Sequence, residues 1–104
     1  MKFFTVTTQS KIDYDFSATT IKHGAFTSFD AALKRLKDVV EDFKMAHRKD
    51  FEKYSNKEYY ENETEGALVV YEDFERGYWG CEYGLQEHHE GHQICIDVWE
   101  VEEA

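Results

Sequence analysis

The 104 residues include no proline, only two cysteines and no apolar run near the length of a bilayer span. Each shortage excludes something. Two cysteines cannot build the disulfide framework that staples small secreted domains. Met1 to Thr8 is too short and too rich in threonine to be a signal or anchor segment, so the expected setting is the cytoplasm, away from membranes. Bases are scarce in one half only: residues 58–104 hold fourteen acids and a single base, Arg76, whereas residues 1–57 hold eight acids and eleven bases. The chain is therefore near balance, at +3, in its first half and at −13 in its second. A net charge of −10 argues against direct binding to nucleic acid or to an anionic membrane, since both require a basic footprint. Catalytic signatures are missing as well. There is no Ser/His/Asp order, no Gly-rich phosphate loop, no CxxC pair and no HExxH helix, so neither enzymatic activity nor a cofactor is expected.

What is present is a folded chain: a hydrophobic content of 41%, with aromatic residues at 16% of the sequence, suffices for one core and one domain. The segment with the least structural freedom runs from Thr27 to Tyr54. Phe29, Leu33, Leu36, Val40, Phe43, His47, Phe51 and Tyr54 recur at spacings of three and four, which is one face of a helix. Thr27 or Ser28 can cap its start, Asp30 lies where the helix dipole favours negative charge, and neither Gly nor Pro interrupts before Gly66. The bases of this segment are interleaved with Asp38, Glu41, Asp42, Asp50 and Glu52, the pattern of a solvated face laced with local ion pairs.

Before the helix, residues 1–24 read as a hairpin. Met1 to Thr8 is β-branched and aromatic, Ser10 and Lys11 turn the chain, and Ile12 to Ile21 alternates with Ile12, Tyr14, Phe16 and Ala18 on one side. After the helix, residues 56–66 form a polar connection with Tyr59 and Tyr60 among four glutamates. Residues 67–103 then read as an acidic three-stranded unit. A loop at Glu75, Arg76 and Gly77 sets Tyr71 opposite Cys81 and Val69 opposite Tyr83. A second loop at His88 to Gly91 sets Tyr83 opposite Ile96, Gly80 opposite Trp99 and Glu82 opposite Asp97. The expected fold is α+β in the order ββαβββ, an antiparallel sheet with one long helix on its inner face. Leu33, Leu36, Val40 and Phe43 are expected to meet Val69, Tyr71, Tyr83, Ile94, Ile96 and Val98.

The same register assigns Glu72, Phe74, Tyr78, Glu82, Asp97, Trp99 and Val101 to the opposite face. There, like charges at Glu82 and Asp97 would destabilise a sheet, which suggests that they serve binding. Carboxylates alternating along a strand stand about 7 Å apart, close to the interval between phosphates of one nucleic-acid strand. The expectation is a non-enzymatic acidic inhibitor. It would occupy the basic groove of a nucleic-acid-handling protein, such as a nuclease or a CRISPR-type effector, as immunity proteins and phage-encoded anti-defence proteins do. Trp99 and its aromatic neighbours would supply anchors and the acids would steer the encounter. Two alternatives use other features. His88, His89 and His92 with Glu90 crowd five positions and are weak candidates for a zinc site, although Cys81 and Cys95 fall on opposite faces and cannot share one metal. The face around Trp99, Phe74, Tyr78 and Val101 would equally serve a homodimer.

Overall fold

Ser28 starts the helical layer. Its hydroxyl accepts the Ala31 amide at 3.1 Å and Asp30 occupies the first turn, as the sequence leads one to expect. In the computed structural model, which describes residues 1–12, 15–54, 67–85 and 88–102, helix α1 spans Phe29–Ala46 and a second helix, α2, spans Arg48–Tyr54. Side chains are described for the same residues except 12, 15–18, 85, 88 and 89. The single helix expected over 27–54 is thus two. His47 departs from helical geometry at φ −108° and ψ 22° and separates the two helices, its ring reaching Tyr83 of the sheet.

Five antiparallel strands form the other layer: β1 Lys2–Ile12, β2 Asp15–Phe26, β3 Ala67–Asp73, β4 Tyr78–Leu85 and β5 His88–Glu100. Their order in the sheet is β2-β1-β5-β4-β3. The α+β class therefore holds, and the N-terminal hairpin lies beside the C-terminal strands. It extends their sheet, because β1 pairs along its length with β5, from Lys2 opposite Glu100 to Ile12 opposite Glu90. The hairpin is also longer than its alternation suggested. β1 runs straight through Ser10 and Lys11 to Ile12, which pairs with Asp15; residues 13 and 14, and with them Tyr14, lie outside the described residues.

Both C-terminal registers differ from expectation. Phe74 is not a strand residue but begins a 3-10 turn, Phe74–Arg76, capped by Asp73, whose carboxylate accepts the Arg76 amide at 3.3 Å and pairs with the Arg76 guanidinium. The extra loop residue shifts β3 by one, so Leu68 faces Tyr83 and Tyr71 faces Gly80. A one-residue slip moves every side chain to the other side. Leu68 accordingly packs against the core, while Val69 and Tyr71 leave it. The His88 to Gly91 stretch is strand rather than loop, with His88 paired to Leu85; residues 86 and 87 lie outside the described set. Gly80 then lies opposite Gln93 and Glu82 opposite Gly91. This is a six-residue displacement, an even number, so β4 and β5 keep the face assignments the sequence suggested.

The core lies between the helices and one side of the sheet: Leu36 and Val40 of α1 and Tyr54 of α2 are buried with Val6, Trp79, Cys81, Tyr83 and Ile94, with Leu33, Phe43, Phe51 and Ile96 packed around them. Val98, expected inside, is 55% exposed. β4 ends opposite Cys95, so beyond it β5 has a neighbour on one side only. The long strands span about 36–43 Å whereas α1 spans about 27 Å, and the helical layer cannot cover the whole sheet. Gly77 closes the 3-10 turn at φ +70°, where a Cβ would stand 2.9 Å from Ile96. Gly77→Ala should therefore destabilise the fold by about 2 kcal/mol or more, combining a left-handed backbone with a clash. A urea unfolding midpoint within error of wild type would contradict this.

Candidate functional site

The side of the sheet away from the helices is covered by no described residue. Strand pairing places its side chains in rows. Trp99 stands beside Phe3, Asp97 beside Thr5, and Tyr78 and Cys95 beside Thr7; Tyr71, Gly80, Gln93 and Gln9 form the next row, then Glu82, Gly91 and Lys11. Of the seven residues expected to form the binding face, Tyr78, Glu82, Asp97 and Trp99 lie here. Glu72 pairs with Trp79 and shares the helix-bearing side, at the edge and exposed. Phe74 lies in the turn, against the core and beneath the Lys37 ammonium at 5.4 Å. Val101 follows β5, exposed, its amide donating to the Met1 carbonyl at 2.8 Å.

Two features organise this open face. At one end Trp99 is 52% exposed yet held in place, its ring stacked on Phe3 (centroids 6.3 Å apart, planes 15° apart) and its indole Nε1 donating to Thr5 Oγ1 at 2.8 Å. It does not lie across Gly80. Asp97 beside it accepts from Thr7 Oγ1 at 3.1 Å. Toward the other end, Gly91 floors a groove of about 350 Å³ whose lining includes Gln9, Lys11, Tyr71, Tyr78, Glu82 and Gln93. Tyr78 folds over Gly80, where its hydroxyl stands 2.7 Å from the position a Cβ would take. Burial raises the Tyr78 pKa, helped by Cys95, Glu82 and Tyr71, so the phenol stays protonated.

Glu82 and Asp97 are not cross-strand partners. Glu82 is level with Gly91, six residues along β5 from Asp97, a separation of about 20 Å. The like-charge pair argued from sequence does not exist, and these two carboxylates do not form a continuous row at phosphate spacing. The glutamates of residues 56–66, with Tyr59 and Tyr60, lie outside the described residues.

Beneath the helices lies a polar chain that sequence reasoning missed. Tyr83 Oη donates to Glu90 Oε2 at 2.7 Å, and His92 Nε2, 3.3 Å from the same oxygen, must donate to it as well. A neutral His92 then accepts at Nδ1 from Ser10 Oγ, 2.7 Å away. His47 Nδ1, 3.1 Å from Tyr83 Oη, donates to that oxygen because the Tyr83 proton is committed to Glu90. Every member has a partner, which is the condition for burying such groups. His92 is 7% exposed, and burial lowers its pKa. Glu90 is lowered chiefly by the Tyr83 hydrogen bond. The Tyr83 phenol is driven up by burial and by that same bond.

The sequence set His47 on the apolar side of the helix, one turn from Phe43, and Tyr83 on the inner face of the sheet, but read Glu90 as loop, so nothing in it joined them through Glu90 and His92. The His-rich stretch lies in β5: His92 is committed to Ser10 and Glu90, the His88 and His89 side chains lie outside the described residues, and among the described residues no group of three or more His, Cys, Asp or Glu able to hold a metal occurs. Cys81 faces the helices, buried and pushed up to about 12 by desolvation; Cys95 faces the open side, also raised by burial. Neither is a reactive thiolate. No described helix is long and apolar enough to cross a membrane.

No protein-family model matches this chain, and no match was found among curated proteins or solved structures. The functional reading rests on the geometry above.

Proposed function

We propose that the protein is a non-enzymatic binding protein that inhibits a basic, nucleic-acid-handling partner, a nuclease or CRISPR-type effector, by engaging it with the open face of its sheet. The observation that carries this reading is Trp99. An indole half in water, yet fixed by a hydrogen bond and a stacked ring, is a pre-ordered anchor of the kind that dominates interfaces. The −13 balance of residues 58–104 supports a basic partner, since a field of that sign speeds encounter with a positive groove. With Glu82 and Asp97 about 20 Å apart, mimicry of nucleic acid would lie in the overall field and not in a regular row of carboxylates.

The test is capture from the lysate of a candidate host at low and high salt, with DNA or RNA as competitor. A nuclease or nucleic-acid-binding protein should be retained at low salt and released by the competitor. Glu82→Lys with Asp97→Lys should reduce retention at least tenfold while leaving the fold intact, because both side chains reach the open face. Normal retention by that double variant would remove this face from consideration.

Met1, Trp99 and Val101 are exposed near one end of the sheet, with Val98 exposed on its helix-bearing side, and these apolar side chains favour a second reading, a homodimer. Salt separates the two, for self-association through an apolar patch responds little to ionic strength. A dimer in sedimentation that persists at high salt and dissociates on Trp99→Ala would favour it.

A further inference from the structure

We infer that the groove on the open face receives an arginine side chain of the partner, with the guanidinium between Tyr71 and Tyr78 and paired with the Glu82 carboxylate. The inference rests on the reading of this face as the binding surface for a basic protein, and it names the chemistry of one contact.

The sheet makes the groove by leaving a side chain out. Gly80 and Gly91 sit diagonally across β4 and β5; the Tyr78 side chain lies over Gly80, while at Gly91 the nearest atom to a Cβ position is Glu82 Cγ at 3.8 Å, so the missing side chain there leaves a depression down to the backbone. Its occupant is selected by the rim. Tyr71 and Tyr78 come from one side, and an aromatic face attracts a cation, a planar guanidinium best of all because it also stacks. Glu82 leans over Gly91, its Cγ 3.8 Å from where a Cβ would be. It is partly buried and makes no hydrogen bond or ion pair with another described residue. A carboxylate partly withdrawn from water without a partner gains most from a cation that can donate two parallel hydrogen bonds. Gln9 and Gln93 add side-chain carbonyls, and five N–H groups of an arginine can use them together with Glu82 where three of a lysine cannot. Lys11 stands on the far side of Gly91 from Glu82 and is the one repulsive element on the described rim, so the cation enters from the tyrosine side.

The probe is L-arginine amide, titrated into the intact protein while the backbone amides of Gly80 and Gly91 are followed by NMR. Saturable shifts at both glycines with a millimolar Kd are expected, with lysine amide several-fold weaker. Glu82→Gln, nearly isosteric, should weaken binding about tenfold by removing the charged hydrogen bonds. Lys11→Ala should strengthen it several-fold, and because that change is a gain it cannot be mistaken for misfolding. Absence of saturable shifts at Gly80 and Gly91, or equal affinity in wild type and Glu82→Gln, would overturn the inference. Capture of a basic partner while arginine amide leaves the groove untouched would overturn it and leave the proposed function standing. Arginine amide binding with no basic partner captured would support the arginine contact and count against the proposed function.

Discussion

Trp79→Ala should cost about 3–5 kcal/mol, most or all of the stability of a domain of this size, while Trp99→Ala should cost about 1 kcal/mol or less and abolish partner binding. The two tryptophans of the chain lie on opposite sides of the sheet. Trp79 is fully buried, in contact with Phe43 and Phe51 and crossed by the Lys44 ammonium. Removing it opens a cavity between the sheet and the junction of the two helices. Trp99 buries only half its surface, and truncating it forfeits one ring stack and one hydrogen bond. A further contrast sharpens the test. The indole N–H of Trp79 is buried without a hydrogen-bond partner, so Trp79→Phe removes an unsatisfied donor along with part of the ring. It should cost far less than Trp79→Ala, about 1–2 kcal/mol. Urea unfolding of the three variants reads these differences directly. A Trp99→Ala variant as unstable as Trp79→Ala would mean that Trp99 belongs to the core.

Mild acid should weaken the fold, and His92 should be the main reason. Burial holds the folded-state pKa of His92 below its ordinary value near 6.5. The unfolded chain therefore binds the proton first. The stability that neutral His92 contributes is fully present above pH 6.5 and is lost as the pH falls below it, at a slope of at most about 1.4 kcal/mol per pH unit for one proton. His23, whose pKa burial and the Arg35 charge also lower, acts in the same direction. Around His92 stand Ser10 on β1, Cys81 and Tyr83 on β4, Glu90 on its own strand, and Phe43 and His47 from the helical layer, with Asp50 beyond, against His47 at 3.9 Å. The single nearby carboxylate that touches it, Glu90, already accepts two hydrogen bonds. Glu90 itself is lowered, so its contribution is present above pH 4.5 and disappears only as the pH drops through the lower folded value, a separate window. Unfolding midpoints measured from about pH 7.5 to about pH 5 should fall for wild type and flatten in His92→Gln. An unaltered slope in His92→Gln, removed instead by His23→Gln, would transfer the effect to His23.

Helical phase was legible in the sequence because Leu36, Val40 and Phe43 have a single way to share a face, and Ser28 announced the start. The break at His47 was not, since a histidine on an apolar stripe continues the helical pattern and does not reveal that its ring will bond Tyr83, thirty-six residues later. Strand existence was legible too, but register depended on loop chemistry. Asp73 turned Phe74 into a capped turn and so reversed the faces of Val69 and Tyr71. The run HHEGH looked like a turn because its polar residues had no evident partners. His92 and Glu90 acquire theirs only once Ser10 and Tyr83 come alongside from other strands. The open face kept Tyr78, Glu82, Asp97 and Trp99 because the second register was displaced by an even number of residues. The groove was invisible, as nothing in a linear pattern says that Gly91 lies between Glu82 and Lys11.

That β1 and β5 are adjacent at the middle of the sheet also governs how the molecule forms. Their pairing joins residues about ninety positions apart, from Phe3 with Trp99 to Thr8 with Ile94, whereas the two helices and the β3–β4–β5 meander depend on near neighbours. Long-range pairing is closed late and slowly. On the ribosome β1 has its β2 partner early but must wait for nearly the whole chain before its second edge is filled. Until then its exposed threonine-rich edge is open to other strands, and this interval, more than the finished structure, sets the risk of aggregation during synthesis.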